Sequence, residues 1–493
     1  MADTPSPTPP RSADAVDAVV VGSGPNGLTA AVVLAQAGLS VTVLEAADEI
    51  GGGTRTAELT EPGLLHDICS AVHPFGAASP VFRSLPLERH GLEWCRPEID
   101  LAHPLDGGRV GVMVRDIDAT AEGLGPDGPA WRQVFGGIAA HFDDLADDIL
   151  GPLLHVPRHP VAFVRFGLRA LWPATVLARR FRTDEARGLF AGIAAHVIHP
   201  LSRPATAAAG VMLTASGHHV GWPVAAGGSR AVTGALASLL AELGGTVQTG
   251  VRVSALRDLP PARVRLFDTS PGGFLTIAGD EVPPSVRRAY RRWRHGPGSF
   301  KLDLAVEGGV PWTAEAARRA GTVHVGGPIG EIAVAEAEVH RGRMPERPFV
   351  LVGQQYLADP QRSKGDLHPV WAYTHVPRGY DGDATDAMLA QIERFAPGVR
   401  ERIVAQHVMS PADFAGYNAN YVGGDISTGA NDLRQMLFRP RVSLDPYATG
   451  VPGTFLCSAA TPPGAGVHGM GGYHAARRAL RELGITGAPG EIG

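Results

Sequence analysis

At 493 residues, 44% hydrophobic and 19% charged, the chain reads as an ordinary globular protein with room for two or three domain-sized units. A net charge of −5 offers no basic surface for nucleic acid. The three cysteines, Cys69, Cys95 and Cys457, are far apart, which argues against a disulfide framework, a zinc site or a redox dithiol. They read as free thiols of a reducing, cytoplasmic compartment, and no metal site is expected.

The first 15 residues hold four prolines and no apolar run, so a disordered tail is expected there rather than a secretory signal. No window approaches about 18 uninterrupted apolar residues, so no membrane span is expected. The wealth of Ala, Gly, Arg and Pro suggests a GC-rich bacterial genome.

Residues 17–56 carry the first strong signal. Ala18-Val19-Val20-Val21 reads as a buried strand, and residues 28–37 as a helix stopped by Gly38. Between them stands Gly22-Ser23-Gly24-Pro25-Asn26-Gly27, a G-x-G-x-x-G. Gly22 permits the tight turn, Gly24 the approach of a pyrophosphate, and Gly27 close packing of helix on strand. A second strand, Val41-Thr42-Val43-Leu44, ends on Glu45, 23 residues after Gly22 and placed for an adenosine ribose. The helix start favours phosphate charge.

The continuation Glu45-Ala46-Ala47-Asp48-Glu49-Ile50-Gly51-Gly52-Gly53-Thr54-Arg55 resembles the extended FAD signature of the amine oxidase and phytoene desaturase superfamily. That resemblance implies that Gly52, Gly53 and Thr54 bring backbone to the FAD phosphates. Relatives often have arginine where this chain has Gly53, so Arg55 is the candidate for the phosphate charge. In residues 59–75 the resemblance brings His73 near the flavin.

Residues 131–150 and 183–197 have helical spacing, the second with Thr183 as N-cap. Between them, residues 160–182 alternate large apolar side chains with five arginines. Such a segment either lies on a membrane surface or packs on its own domain with solvated arginines. Residues 231–243 form a helix pattern, followed by a short strand in which Val253 matches the valine that meets adenine in the family. Residues 264–269 read as a further strand.

The segment from Gly298 to Trp312 resembles the amine oxidase strand whose lysine stands near flavin N5, and Lys301 is the match. Strand alternation puts Lys301 and Asp303 on one face and Phe300, Leu302 and Leu304 on the other. Residues 322–330 look like a second glycine loop but lack the G-x-G-x-x-G spacing, so no separate nicotinamide domain is expected. At the end, residues 454–457 read as a strand, 458–472 as a glycine-rich turn and 473–480 as a helix. Thr461-Pro462-Pro463-Gly464-Ala465-Gly466-Val467-His468-Gly469 is similar to the C-terminal flavin block of the phytoene desaturases. It implies flavin contacts from Gly466, Val467, Gly469, Tyr473 and His474, with Tyr473 also matching an aromatic cage residue of amine oxidases.

The expected fold is therefore α/β, an FAD-binding Rossmann-like domain of glutathione reductase/amine oxidase type interleaved with an α+β substrate domain. Residues 16–108, 222–295 and 436–493 are assigned to the first, and 109–221 (helical) and 296–435 to the second. The expected activity is FAD-dependent hydride abstraction from a C–H bond of a small apolar, isoprenoid-like substrate, with Lys301 and Tyr473 as catalytic candidates. The alternatives are a flavin amine oxidase, a redox-neutral flavin isomerase, and a flavin-free prenyl-binding protein like the GDP-dissociation inhibitors. Peripheral contact with the inner membrane face belongs to the same expectation.

Overall fold

The computed structural model describes residues 15–485; the tail expected over 1–15 lies, apart from Ala15, outside them. Two sheets organise the chain. The first is five-stranded and parallel, in the order Thr454–Leu456, Ala262–Phe267, Val16–Val21, Val41–Leu44, Thr246–Gln248. Strands drawn from the beginning, middle and end of the chain thus lie side by side. The inner strands Val16–Val21 and Val41–Leu44 are largely buried on both faces, which is why they read as apolar runs, while Thr246–Gln248 at the edge is exposed. Ala18 and Val20 face the helices Pro25–Gln36, Arg230–Glu242 and Met470–Glu482, while Val19 and Val21 face a second cluster around Phe274 and Tyr290.

The second sheet has seven strands in the order Ile403–Met409, Gly298–Glu307, Leu367–Val376, Val350–Gly353, Ala320–Val325, Ile99–Pro104, Val110–Met113. All its pairings are antiparallel except that of Ala320–Val325 with Ile99–Pro104. Phe300, Leu302 and Leu304 face a core with Trp312, Met388 and Phe395, as alternation requires. The chain crosses into this sheet earlier than residue 108. Gly107 and Gly108, which look like a boundary, instead turn the hairpin between the sheet's last two strands. The glycine loop at 326–330 follows a strand of this second sheet, so no second dinucleotide unit forms there.

Helices cover residues 117–220, with Thr183 capping Asp184–Ala194 through the Ala186 amide. The basic segment folds as Pro160–Ala170, a 94° bend, and a short helical stretch to Arg180. Among the described residues no single helix is long and apolar enough to cross a membrane.

The closing helix begins at Met470, three residues before the expected start. Gly471 and Gly472 read as breakers, but their role is steric. A Cβ on Gly472 would run into the Asn26 carbonyl oxygen, and one on Gly469 into Thr29 and Phe82. The last helix therefore rests directly on the first. Gly472→Ala is expected to destabilise the protein by about 1–3 kcal/mol, the range for overpacking a tight contact, read as a lowered urea midpoint. An unchanged midpoint would show that the helices can part without loss.

Candidate functional site: one cavity spanning both sheets

A large cavity of about 1570 Å³ runs from the carboxyl ends of the parallel strands to the second sheet. Crevices at strand carboxyl ends are where α/β sheets bind ligands. Single-ligand pockets usually measure about 300–1,000 Å³, so this one has room for a dinucleotide and a second molecule.

At the sheet end the glycine loop forms the wall. Gly22 turns with φ 101°, and Gly24, Pro25 and Asn26 line the cavity. Gly27 lies behind them, where a Cβ would strike the Gly22 carbonyl oxygen. Gly52, at φ 55°, brings its backbone against Gly24: a Cβ there would lie 3.0 Å from the Gly24 Cα. The two glycine segments thus make one cradle that any side chain would fill.

Glu45 stands at its rim. One carboxylate oxygen accepts from the Ser23 amide (2.9 Å) and hydroxyl (2.6 Å), and the other from the Ala47 amide (2.9 Å). The oxygen bonded to Ala47 keeps a further lone pair for a ribose hydroxyl. Arg55 is buried, not a solvated arginine. Its Nε and Nη2 donate to the carbonyls of Ile50 (3.1 Å) and Glu49 (2.8 Å), Nη2 lies 3.8 Å from Glu45, and the guanidinium sits over the Tyr417 ring. It staples the loop and lines the cavity, as do Gly53, Thr54 and Val253.

The C-terminal block reaches the same cavity through Gly466, Val467 and His468. His468 acts locally. Its Nδ1 accepts from the Met470 amide (3.1 Å) and so caps the last helix, and burial lowers its pKa to about 4. Gly469 is that helix's N-cap, at φ 68°. Tyr473 and His474 differ from expectation. Both lie in the body of the helix rather than on the cavity wall, Tyr473 buried and His474 half-buried with its Nε2 bonded to the Leu150 carbonyl (3.0 Å). The helix starts earlier than the sequence suggests, which moves them away from its tip.

Lys301 is also displaced from its expected place. Alternation does put it on the cavity-facing side of the second sheet, opposite Tyr373, which lines the cavity. Lys301 itself lies one layer back. Its ammonium pairs with Asp303, which has His66 at 3.4 Å and His407 at 3.5 Å on its other sides. Burial favours the neutral acid, yet the Lys301 charge and the two histidines hold the Asp303 carboxyl well below the usual carboxylate range. Lys301 reaches the wall only through its field on the Cys69 thiol, which burial pushes up to about 11.

His73 does line the cavity. It packs edge-on against Trp94, and burial lowers its pKa to about 4, so it is neutral at pH 7. The segment before it is fixed by Asp67, which accepts from Thr56, Ser229 and Arg362 at 2.5–2.8 Å.

Several wall residues were not evident from sequence. Asp268, just past the strand Ala262–Phe267, faces the glycine loop, and only its place at a strand's carboxyl end could have flagged it. Tyr417 donates to the Gly52 carbonyl (2.6 Å) from more than 360 residues away, a contact without a local signal. The far half is walled by Leu153, Phe166, Met212, Leu213, Trp371 and Tyr373, together with His196. His196 Nδ1 bonds the Ile193 carbonyl (3.0 Å), which makes Nε2 the lone-pair nitrogen, and burial lowers the ring's pKa to about 4. The wall's carboxylates, Glu45 and Asp268, are both at the dinucleotide end.

Comparison with known proteins agrees with this geometry. Residues 20–85 match the model of the NAD(P)-binding Rossmann-like domain family. The chain is 24% identical to the mouse "Pyridine nucleotide-disulfide oxidoreductase domain-containing protein 2", over 95% of its own length and 94% of the relative's. It is 28% identical to one of the limonene dehydrogenase subunits of Castellaniella defragrans, over 28% of this chain and 24% of that protein. Among solved structures it resembles putrescine oxidase, with a TM-score of 0.59, 17% identity, and coverage of 95% of this chain and 99% of that one. The fold is therefore the Rossmann-like dinucleotide-binding α/β fold shared with amine-oxidase-type structures.

The Lys301–Asp303 pair is expected to be structural. Lys301→Met leaves a buried carboxylate without its cation, a loss of about 3–5 kcal/mol in unfolding free energy, measured by urea denaturation. A fully stable variant would show that Asp303 finds another partner.

Proposed function

We propose that the protein is an FAD-dependent oxidoreductase that takes hydride from a C–H bond of an apolar substrate. The observation that supports this best is the continuous cavity: a glycine cradle with a ribose-placed acid at one end and an apolar chamber at the other. The residues fit FAD. Gly24, Gly52 and Gly53 bring side-chain-free backbone to the cavity wall for the pyrophosphate, Glu45 offers an acceptor to the ribose, and Val253 offers backbone to adenine. The last helix directs its N-terminal dipole toward the 466–468 wall, where negative charge on the flavin ring would be stabilised. When bound, FAD supplies the hydride acceptor; the protein orients it and excludes water.

The substrate end favours an apolar molecule over an amine. Its wall holds leucine, methionine, phenylalanine and tryptophan and, among the described residues, no carboxylate that would hold an ammonium group. Similarity to a limonene dehydrogenase protein over part of the chain supports the same direction, and similarity to putrescine oxidase supports the cofactor more than the substrate. Neutral His196 is the polar group best placed to orient a substrate in that half.

We further propose that the substrate arrives from a lipid surface. Val156, Val161, Val164, Leu168, Leu171 and Trp172 are all more than half exposed, beside Arg165 and Arg169, and residues 151–182 contain no acid. Phe166 and Leu153 of the same segment line the cavity. Basic and apolar groups together favour an anionic bilayer. The protein should float with anionic vesicles, and Leu168→Glu with Trp172→Glu should abolish this without loss of fold. Equal recovery of parent and variant would refute the contact.

Purified protein should show a flavin absorbance spectrum, released on denaturation as unmodified FAD. Protein that remains colourless with added FAD would favour a flavin-free binding role. Glu45→Gln should weaken FAD binding about ten-fold or more, the scale for hydrogen bonds to a charged group. NADH or NADPH at micromolar concentration should fail to reduce the flavin rapidly without oxygen, because no second dinucleotide unit accompanies the first among the described residues.

A further inference from the structure

Asp268 occupies a position that an anionic cofactor makes difficult. The helix Pro25–Gln36 has Gly24 as its N-cap, with no side chain to cap it, and Pro25 at its first position has no N–H to offer. The Gly27 amide is instead capped from across the chain by Asp268 Oδ2 at 3.0 Å. The same oxygen would lie 2.8 Å from a Cβ on Gly24, so the carboxyl presses on the glycine that must admit a pyrophosphate. Asp268 lines the cavity, and among the described residues no cation pairs with it.

The groups around it are few. Glu45 faces it from the end of the second strand and disfavours its ionisation; the Tyr421 hydroxyl, from the 418–424 turn, and the Cys457 thiol, just past the last strand, also feel its field. The glycine loop brings no charged side chain. Asn420 donates to the Asp268 backbone carbonyl at 3.1 Å and leaves the carboxyl alone. Burial, with Glu45, pushes the Asp268 carboxyl up to about 7, and only the Gly27 amide opposes it.

We propose that Asp268 receives the cofactor's diphosphate as a neutral acid, so that FAD binding takes up one proton from solvent at this residue. An ionised carboxylate beside two phosphate charges in a buried cradle is repelled; a protonated one keeps its acceptor for Gly27 and gains an O–H donor for a phosphate oxygen. In the free protein the carboxyl is half ionised near neutrality, and the bound phosphates raise its pKa further. Binding is therefore tightest at low pH and weakens as pH rises through 7. This inference rests on the cavity being the FAD site.

Dialysis of the flavin-loaded protein to equilibrium between pH 6 and 8.5, with retained flavin read by absorbance, tests it. The parent's dissociation constant should climb above pH 7 toward about ten-fold per pH unit, the limit for one linked proton. Asp268→Asn, neutral at every pH, should retain FAD with a flat profile and bind more tightly than the parent at pH 8.5. A flat parent profile, or a variant with the parent's slope, would overturn the proposal. Should the variant not fold, calorimetric titration of the flavin-stripped parent in two buffers of different ionisation enthalpy gives the proton count directly. Uptake near pH 7.5 supports the proposal and zero uptake overturns it. Absence of FAD binding at every pH would be a different failure, that of the cofactor assignment itself.

Discussion

Everything in this molecule depends on two helices lying in backbone contact. The first, Pro25–Gln36, follows the glycine loop; the last, Met470–Glu482, rests on it where Gly472 meets the Asn26 carbonyl. Only glycine permits that approach, since a Cβ there would overlap a backbone atom that cannot move independently. The contact brings the two flavin-like motifs, over 400 residues apart in sequence, to one cavity. It also fixes the last strand, Thr454–Leu456, against Ala262–Phe267, so that the parallel sheet is completed only when the chain's end is in place.

A second constraint follows from putting one cavity between two sheets. Under the proposed function the wall must be polar where it receives a charged dinucleotide and apolar where it receives substrate. The protein meets this by sending charge behind the wall. Lys301 and Asp303 pair one layer back with His66 beside them, and Asp67 and Arg362 pair beneath the loop carrying His73. Buried charges of this kind are tolerable only when paired. Glu45 and Asp268 remain on the wall, beside the glycine loop.

Much of the nucleotide half was legible in the sequence, because strand, glycine loop, helix, second strand and acid are contiguous within residues 16–56. Their spacing is set by local geometry, which sequence records directly. The last helix was legible in kind but misplaced by three residues, since a glycine pair signals a break unless a distant helix demands it. Lys301 shows the opposite problem. Alternation identified its face correctly, but its pairing depends on Asp303, two residues on, and on histidines from two other elements. The helical insertion 117–220, which supplies Leu153, Phe166, His196 and Met212 to the cavity, carried no spacing signal for that role. Its residues converge only through tertiary packing.

The central claim is that one cavity holds FAD at the parallel sheet and an apolar substrate at the mixed sheet. A crystal structure of the flavin-loaded protein tests it most directly. The adenosine ribose is expected at Glu45, the pyrophosphate between Gly24 and Gly52, and the flavin ring between the 466–468 wall and the chamber of His196, Trp371 and Tyr373. Electron density for the flavin outside this cavity, or with its adenine in the apolar chamber, would contradict it.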